Sequence, residues 1–283
     1  MSDYLEMFLS SKQLEGLSQE SLKYYRLVLG WMCDDIKKSV LEITTDDLRT
    51  WLATYQKRKE PSKVTLNNMR RVLSSFFGWM ENEDYISKSP VRRIHNIKTD
   101  KVIKKTLTDN MIEKLKNTCT NKRDIAIIDF FASAGVRIGE LVRLNRDDIN
   151  FTEKECVVFG KGNKERIVYF DTLTSESLNT YLMCRADDNP ALFVTHHKPY
   201  RRLGKGAIET MLRDLGKLNN IEKVHPHKFR RTLATTAAEK GMPIEQIQCL
   251  LGHVNINTTM NYVNVNQANV KNSYRKFADP GVK

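Results

Sequence analysis

His-Pro-His-Lys-Phe-Arg-Arg-Thr, residues 225–232, is the stretch on which the reading of this chain turns. Pro226 suits the first position of a helix, and His227 and Arg230, three apart, then lie on one face. Downstream, Leu250-Leu251-Gly252-His253 reads as a helix with a glycine stop, and Tyr262 follows nine residues later in Thr-Thr-Met-Asn-Tyr-Val (258–263). Upstream, the β-rich runs 155–159 and 166–170 flank Gly160-Lys161-Gly162-Asn163-Lys164-Glu165, the pattern of a hairpin with a glycine-rich turn. Before it comes Ser-Ala-Gly-Val-Arg-Ile-Gly-Glu-Leu (133–141). There Gly135 allows a sharp helix-to-helix turn, so that Arg137 projects from a helix start with Glu140 one turn on. Residues 124–133 predict an apolar helix, Thr108-Asp109 caps another, and from the hairpin onward the pattern is mainly helical to the end.

The first hundred residues read as helices. Ser18 caps a stripe of Leu22, Tyr25, Leu29 and Met32, and Thr44-Thr45-Asp46-Asp47 opens a second with Leu48, Trp51, Leu52 and Tyr55. After the polar break 57–62, a third stripe carries Met69, Val72, Leu73, Phe76, Trp79 and Met80. Its other face holds Asn67, Arg70 and Arg71. The expected fold is therefore mainly α with a small β-sheet or hairpin. Residues 1–90 form a four- or five-helix domain, 91–106 an exposed basic linker, and 107–283 the second domain.

Composition narrows the function. The chain has 283 residues, 40% hydrophobic and 28% charged, enough apolar material for a core. No run approaches 18 uninterrupted apolar residues, which argues against a membrane-spanning helix, and the start lacks a basic segment followed by an apolar one. A cytoplasmic protein is expected. Its five scattered cysteines, none in Cys-x-x-Cys spacing, fit reduced thiols rather than a zinc ribbon or a disulfide framework. The net charge of +12 is uneven: residues 1–50 carry −3, whereas 51–105 and 201–283 carry +8 each. Two basic blocks far apart in sequence suit two faces of a clamp on a polyanion, with nucleic acid the natural candidate; a solvated surface is the plainer alternative.

Taken singly, the chemistry-bearing residues say little. Arg137 alone reads as an ion-pair partner, and Tyr262 alone as a half-buried packing residue. His225 and His227 have no nearby Cys or carboxylate to complete a tetrahedral metal set. Gly-Lys-Gly at 160–162 lacks the rest of a P-loop. In order, however, Arg137, Lys161, His227-x-x-Arg230, Leu251-Gly252-His253 and Tyr262 resemble the motifs of the tyrosine recombinase (phage integrase) family, Xer-type members most of all in size and layout. The resemblance covers nearly the whole chain: a helical, SAM-like core-binding domain that grasps DNA, a linker, and a catalytic domain. Arg231 stands where many members have histidine, and Lys164 competes with Lys161 for the hairpin-lysine role.

What the resemblance implies is cleavage of one DNA strand by Tyr262, leaving a 3′-phosphotyrosyl enzyme and a free 5′-hydroxyl. The residue types suit that chemistry. The pentacoordinate transition state gains charge, and a permanently charged guanidinium offers a planar fork to two phosphate oxygens. Arg137 and Arg230 would be this clamp. A phenol, with a pKa of about 10, needs local positive charge or a base. Lys161 would protonate the departing 5′-oxygen, His227 would act as acid/base or orient the phosphate, and His253 would bond a non-bridging oxygen. The ester conserves the energy of the broken diester, so no cofactor and no metal is expected. Glu140 reads as a partner that holds the arginine box, or equally as a solvated helix carboxylate. Arg70, Arg71, Lys228, Arg231, Arg201 and Arg202 are the candidate DNA contacts.

Val270, Tyr274 and Phe277 place a narrow apolar stripe on a C-terminal helix. In related recombinases such a tail docks on the neighbouring protomer, so the resemblance implies a homotetramer, or a hetero-tetramer with a related recombinase, on two double-stranded DNA sites. The tasks that fit are dimer resolution for chromosomes or plasmids and mobile-element integration. Type IB topoisomerase-like relaxation and a catalytically silent DNA-binding regulator of the same fold are the alternatives. The intact residue set argues against the second.

Overall fold

The computed structural model describes residues 2–98, 105–160, 165–253, 255, 256 and 260. The chain divides into two compact units, 1–103 and 104–283.

The first unit is built from α1 (Ser2–Leu14), α2 (Gln19–Ile36), α3 (Thr45–Lys59) and α4 (Lys63–Asn82), followed by a 3-10 turn, Pro90–Arg93. Its helices begin where their caps dictate. Ser18 and Ser62 accept the N–H of Ser21 and Thr65. Thr44 and Asp47 form a reciprocal capping box. The apolar stripes turn inward: Leu22, Leu29 and Met32 of α2, Leu48, Trp51 and Leu52 of α3, and all six predicted residues of α4 are buried. Phe8 packs edge-on to Phe76, with ring centroids 5.3 Å apart.

The stretch 91–106 is not an exposed linker along its whole length. Val91 and Ile94 are buried in the core of the first unit, and Ile97 packs against it. Asn67 accepts the N–H of Ile97, and Arg70 donates to the Ile94 carbonyl. Val91, Ile94 and Ile97 are spaced by three, so one side of the segment is apolar while Arg92, Arg93 and His95 face solvent. At the far end Leu107 is buried in the core of the second unit, its N–H donating to Thr232.

The second unit runs α5 (Asp109–Thr118), α6 (Lys122–Ala134), α7 (Ile138–Leu141), β1 (Ile149–Asn150), β2 (Glu155–Phe159), β3 (Glu165–Tyr169), α8 (Thr172–Met183), α9 (Lys205–Leu218), α10 (Pro226–Glu239) and α11 (Ile244–Leu251). The three strands form one antiparallel sheet in chain order, with Val157 opposite Ile167 and Cys156 opposite Val168. α6 is the spine: Ile127, Ile128, Phe130 and Phe131 are fully buried, and α5, α8 and α10 pack around it. Between α8 and α9 the chain departs from the helical expectation. Residues 184–204 are irregular, tied by bridges from Asn145 to Ala191 and from Val194 to Arg202. The hairpin is apolar on both sides; Cys156, Val158 and Val168 face the core, while Val157, Phe159, Ile167 and Tyr169 are exposed.

Candidate active site

Two helix ends build the site. α6 stops at Gly135, whose φ of 58° is left-handed and whose N–H returns to the Phe131 carbonyl. A side chain there would strike Leu233, since a Cβ would lie 2.6 Å from its Cδ2. α11 stops in the same way at Gly252, φ 59°, and the His253 N–H closes back on the Gln248 carbonyl. The Leu-Gly-His run is thus a Schellman turn that delivers His253 just past the helix.

Helix C-termini leave carbonyls without intrahelical partners and carry partial negative charge. The two candidate arginines answer that need. Arg230, on α10, donates from Nη1 to the Gly135 carbonyl (2.6 Å) and from Nη2 to the Leu251 carbonyl, and is 3% exposed. Arg137 donates from Nη2 to the Gly252 carbonyl (2.8 Å) and from Nη1 to Glu140 Oε1 (2.7 Å). Its side chain keeps 33% exposure, so the guanidinium remains open to an anion arriving from solvent. Glu140, 3% exposed, also accepts the Arg137 main-chain N–H on Oε2 (2.8 Å), closing the first turn of α7. It is a buried hub, not a solvated carboxylate.

The histidines share this field. Burial, then Arg230, Arg137 and Arg166, push the His253 pKa down to about 4. His227 is partly open to solvent, yet desolvation of its inner side and then Arg230, Arg137 and Arg231 lower its pKa too. Both rings are therefore neutral at pH 7 and keep one donor and one acceptor nitrogen. Chemically, the cluster offers permanent positive charge next to neutral proton-transfer groups, which suits an anion that gains charge in its transition state. Among the described residues, no group of three His, Cys, Asp or Glu side chains stands close enough to hold a metal ion.

Arg137, Arg230, His227 and His253 thus meet in one place. Lys161 and Tyr262 lie outside the described residues, as do Lys164 and the tail stripe. The candidate DNA contacts divide. Arg71 and Arg201 are exposed. Lys228 is 7% exposed, and its ammonium donates to the Glu222 carbonyl at 2.6 Å, so it braces the turn before α10 instead of facing a phosphate. Arg202 donates to the carbonyls of Val142 and Leu144, and Arg70 to Ile94 and Asn96; both tie neighbouring segments together. Arg231 reaches the Lys105 carbonyl at 3.4 Å.

One participant escapes a motif reading. Arg166, on β3, donates from Nη2 to Glu140 Oε2 at 2.9 Å. Burial lowers its pKa while Glu140 raises it. The signal is present in the strand's alternation: Arg166 shares the inward face with Val168, and an inward arginine requires an acid.

Comparison with known proteins agrees with this geometry. Residues 101–269 match the phage integrase family, and residues 4–87 match the N-terminal SAM-like domain of phage integrases. The chain is 30% identical to the tyrosine recombinase XerA of Pyrococcus horikoshii, covering 97% of this chain and 93% of that one. It is 28% identical to the tyrosine recombinase XerC of Oceanobacillus iheyensis, covering 96% and 95%. The fold is that of the XerH site-specific recombinase solved on a palindromic difH substrate (TM-score 0.75, 20% identity, covering 93% of this chain and 82% of that one). A family match over more than half the chain, together with full-length likeness to XerA and XerC, establishes that this chain belongs to the phage integrase family, as a site-specific tyrosine recombinase of the Xer type.

Proposed function

We propose that this recombinase cuts one strand of duplex DNA with Tyr262, holds the 3′-phosphate as a phosphotyrosine, and passes it to the 5′-hydroxyl of a partner duplex. The observation that carries this reading is the convergence of Arg137 and Arg230 on the turns at Gly135 and Gly252, beside two neutral histidines. Main-chain carbonyls hold both guanidinium groups before any substrate arrives, so little reorganisation is left for the transition state. Arg137 and Arg230 grip the non-bridging oxygens. His253 donates to one of them, His227 orients the phosphate or exchanges a proton, and Lys161 protonates the leaving 5′-oxygen. The phosphotyrosyl ester retains the diester's energy, and rejoining is the reverse attack.

The substrate is double-stranded DNA; the XerH recombinase of the same fold is bound to a palindromic difH substrate. The chain acts as a homotetramer on two sites, or with a related recombinase, and a DNA substrate places its work in the cytoplasm. Deleting residues 266–283 is expected to abolish cooperative assembly on DNA while sparing monomer folding.

A suicide substrate, nicked so that the cleaved strand diffuses away, tests the chemistry. A covalent protein–DNA adduct is expected from the wild type and none from Tyr262→Phe. Absence of any adduct would favour a silent DNA-binding regulator. Relaxation of a plasmid without exchange between two sites would favour topoisomerase-like action.

A further inference from the structure

We infer that Arg166 is a positioning residue for the phosphate clamp, acting through Glu140 on Arg137 and through Gly252 on the turn that carries His253. The inference rests on the recombinase reading for its kinetic consequence, but its structural core stands without it.

Three observations carry it. First, Glu140 is one carboxylate shared between two guanidinium groups, Arg137 at 2.7 Å and Arg166 at 2.9 Å. A carboxylate paired with Arg137 alone would cancel most of its charge. Divided with Arg166, it orients Arg137 yet leaves the pair of arginines with a net positive charge facing the anion. Second, the Arg166 side chain passes directly beneath Gly252. A Cβ at 252 would lie 2.6 Å from Arg166 Cδ and 2.9 Å from Nε, so the glycine of the Leu-Gly-His run makes room for this side chain as well as for its own backbone turn. Third, Arg166 is poorly provided for. Its side chain is only 11% exposed, and Nε and Nη1 are buried without a hydrogen-bond partner among the described residues. An apolar side chain of similar length would fill the same space without stranding donors, and buried ion pairs often give way to such replacements at no cost in stability. A guanidinium kept here at that disadvantage points to a task other than stability. Arg166 is the second residue of β3 and follows Lys161 by five positions in the sequence.

The test uses the full chain with Arg166→Met, Arg166→Lys, Glu140→Gln and the Met/Gln double variant. On saturating suicide substrate, R166M is expected to form adduct about 10–100-fold more slowly, the usual effect of removing a partner that orients a reacting group. Its DNA Kd should stay within about threefold, because the side chain is 11% exposed and lies against Glu140 and Gly252. R166K should recover part of the rate. The double variant should be no slower than the slower single one, since both act along one path. A second readout needs no DNA: the Arg137 guanidinium, held at both Nη atoms, should show separate, slowly exchanging 15N Nη signals in the wild type that merge in R166M. If R166M does not fold, R166K carries both readouts. Wild-type rates in R166M, losses that multiply in the double variant, or an Arg137 signal unchanged by R166M would each overturn the inference. If the wild type forms no adduct on DNA, the recombinase reading falls alone and the Arg137 signal decides this one.

Discussion

Arg137 and Arg230 occupy similar roles in the motif but different environments in the structure. Arg230 is buried and satisfies two helix-end carbonyls, whereas Arg137 is one-third exposed. Replacing either with Ala is expected to slow adduct formation by about 10²–10³, or ~3–4 kcal/mol of barrier. The stability costs should differ. Arg230→Ala strands buried acceptors and should cost about 1–3 kcal/mol in chemical denaturation, with Arg137→Ala costing less. Arg230→Lys should not restore activity, because an ammonium lacks the planar fork that spans Gly135 and Leu251. His253 gives a pH prediction. Its folded pKa of about 4 lies below the unfolded value of about 6.5, so the unfolded chain binds the proton first. Stability contributed here is full above pH 6.5 and falls as the pH drops toward 4. Thermal melting of His253→Asn should therefore decline less than that of the wild type across this window. Arg137, Arg230, His227 and His253, which the structure brings together, stand out in the sequence because each lies at a fixed spacing within its motif. Arg166 does not, because its meaning lies in a partner, Glu140, from another element.

At the scale of elements, caps and stripes carried most of the information. Ser18, Thr44 and Thr108 start helices at the residues the sequence predicts, Ser62 caps α4 from within the polar break, and the α4 stripe is buried throughout. Phe76→Ala, in the middle of that stripe, should cost about 3–5 kcal/mol of unfolding free energy in the first unit. Gly252→Ala meets two obstacles, a left-handed backbone and the Arg166 side chain. It should lower both stability and adduct formation, whereas Gly206→Ala, in α9 with nothing within 4 Å, should leave adduct formation unchanged and raise stability by about 0.4–1 kcal/mol. The basic segment after Pro90 is not the wholly exposed linker that its composition predicts, for a physical reason. Its charges dominate the composition, and three apolar residues at intervals of three are enough to bind it to a core. The irregular 184–204 region was not legible, because its order comes from main-chain carbonyls gripped by Arg185 and Arg202 rather than from periodicity.

For the whole molecule, charge sets the behaviour toward DNA. With +12 overall and basic residues such as Arg71 and Arg201 exposed, binding should be strongly salt-dependent. If 6–10 phosphates are contacted, affinity should fall about 10³–10⁵-fold between 50 and 200 mM salt. Fluorescence anisotropy with a fixed duplex measures this, and a flat response would contradict a phosphate-dominated interface. Arg71→Ala should reduce the slope of that dependence, while Lys228→Ala, whose ammonium is turned to Glu222, should leave the slope unchanged. The mainly helical class followed from the sequence, because helix stripes and the β2–β3 strand pair are local patterns.

The anchoring of Arg230 to the carbonyls of Gly135 and Leu251 has an evolutionary consequence. Peptide oxygens are common to every residue, so substitution at either anchor leaves the acceptor that Arg230 grips in place and cannot retune it to another donor. A genetic screen for suppressors of a lost Arg230 should return none at those positions, whereas the contact between two side chains, Arg166 and Glu140, leaves room for compensating exchanges. Drift among relatives should thus leave the first contact frozen and alter the second only by paired exchanges that keep Arg137 oriented.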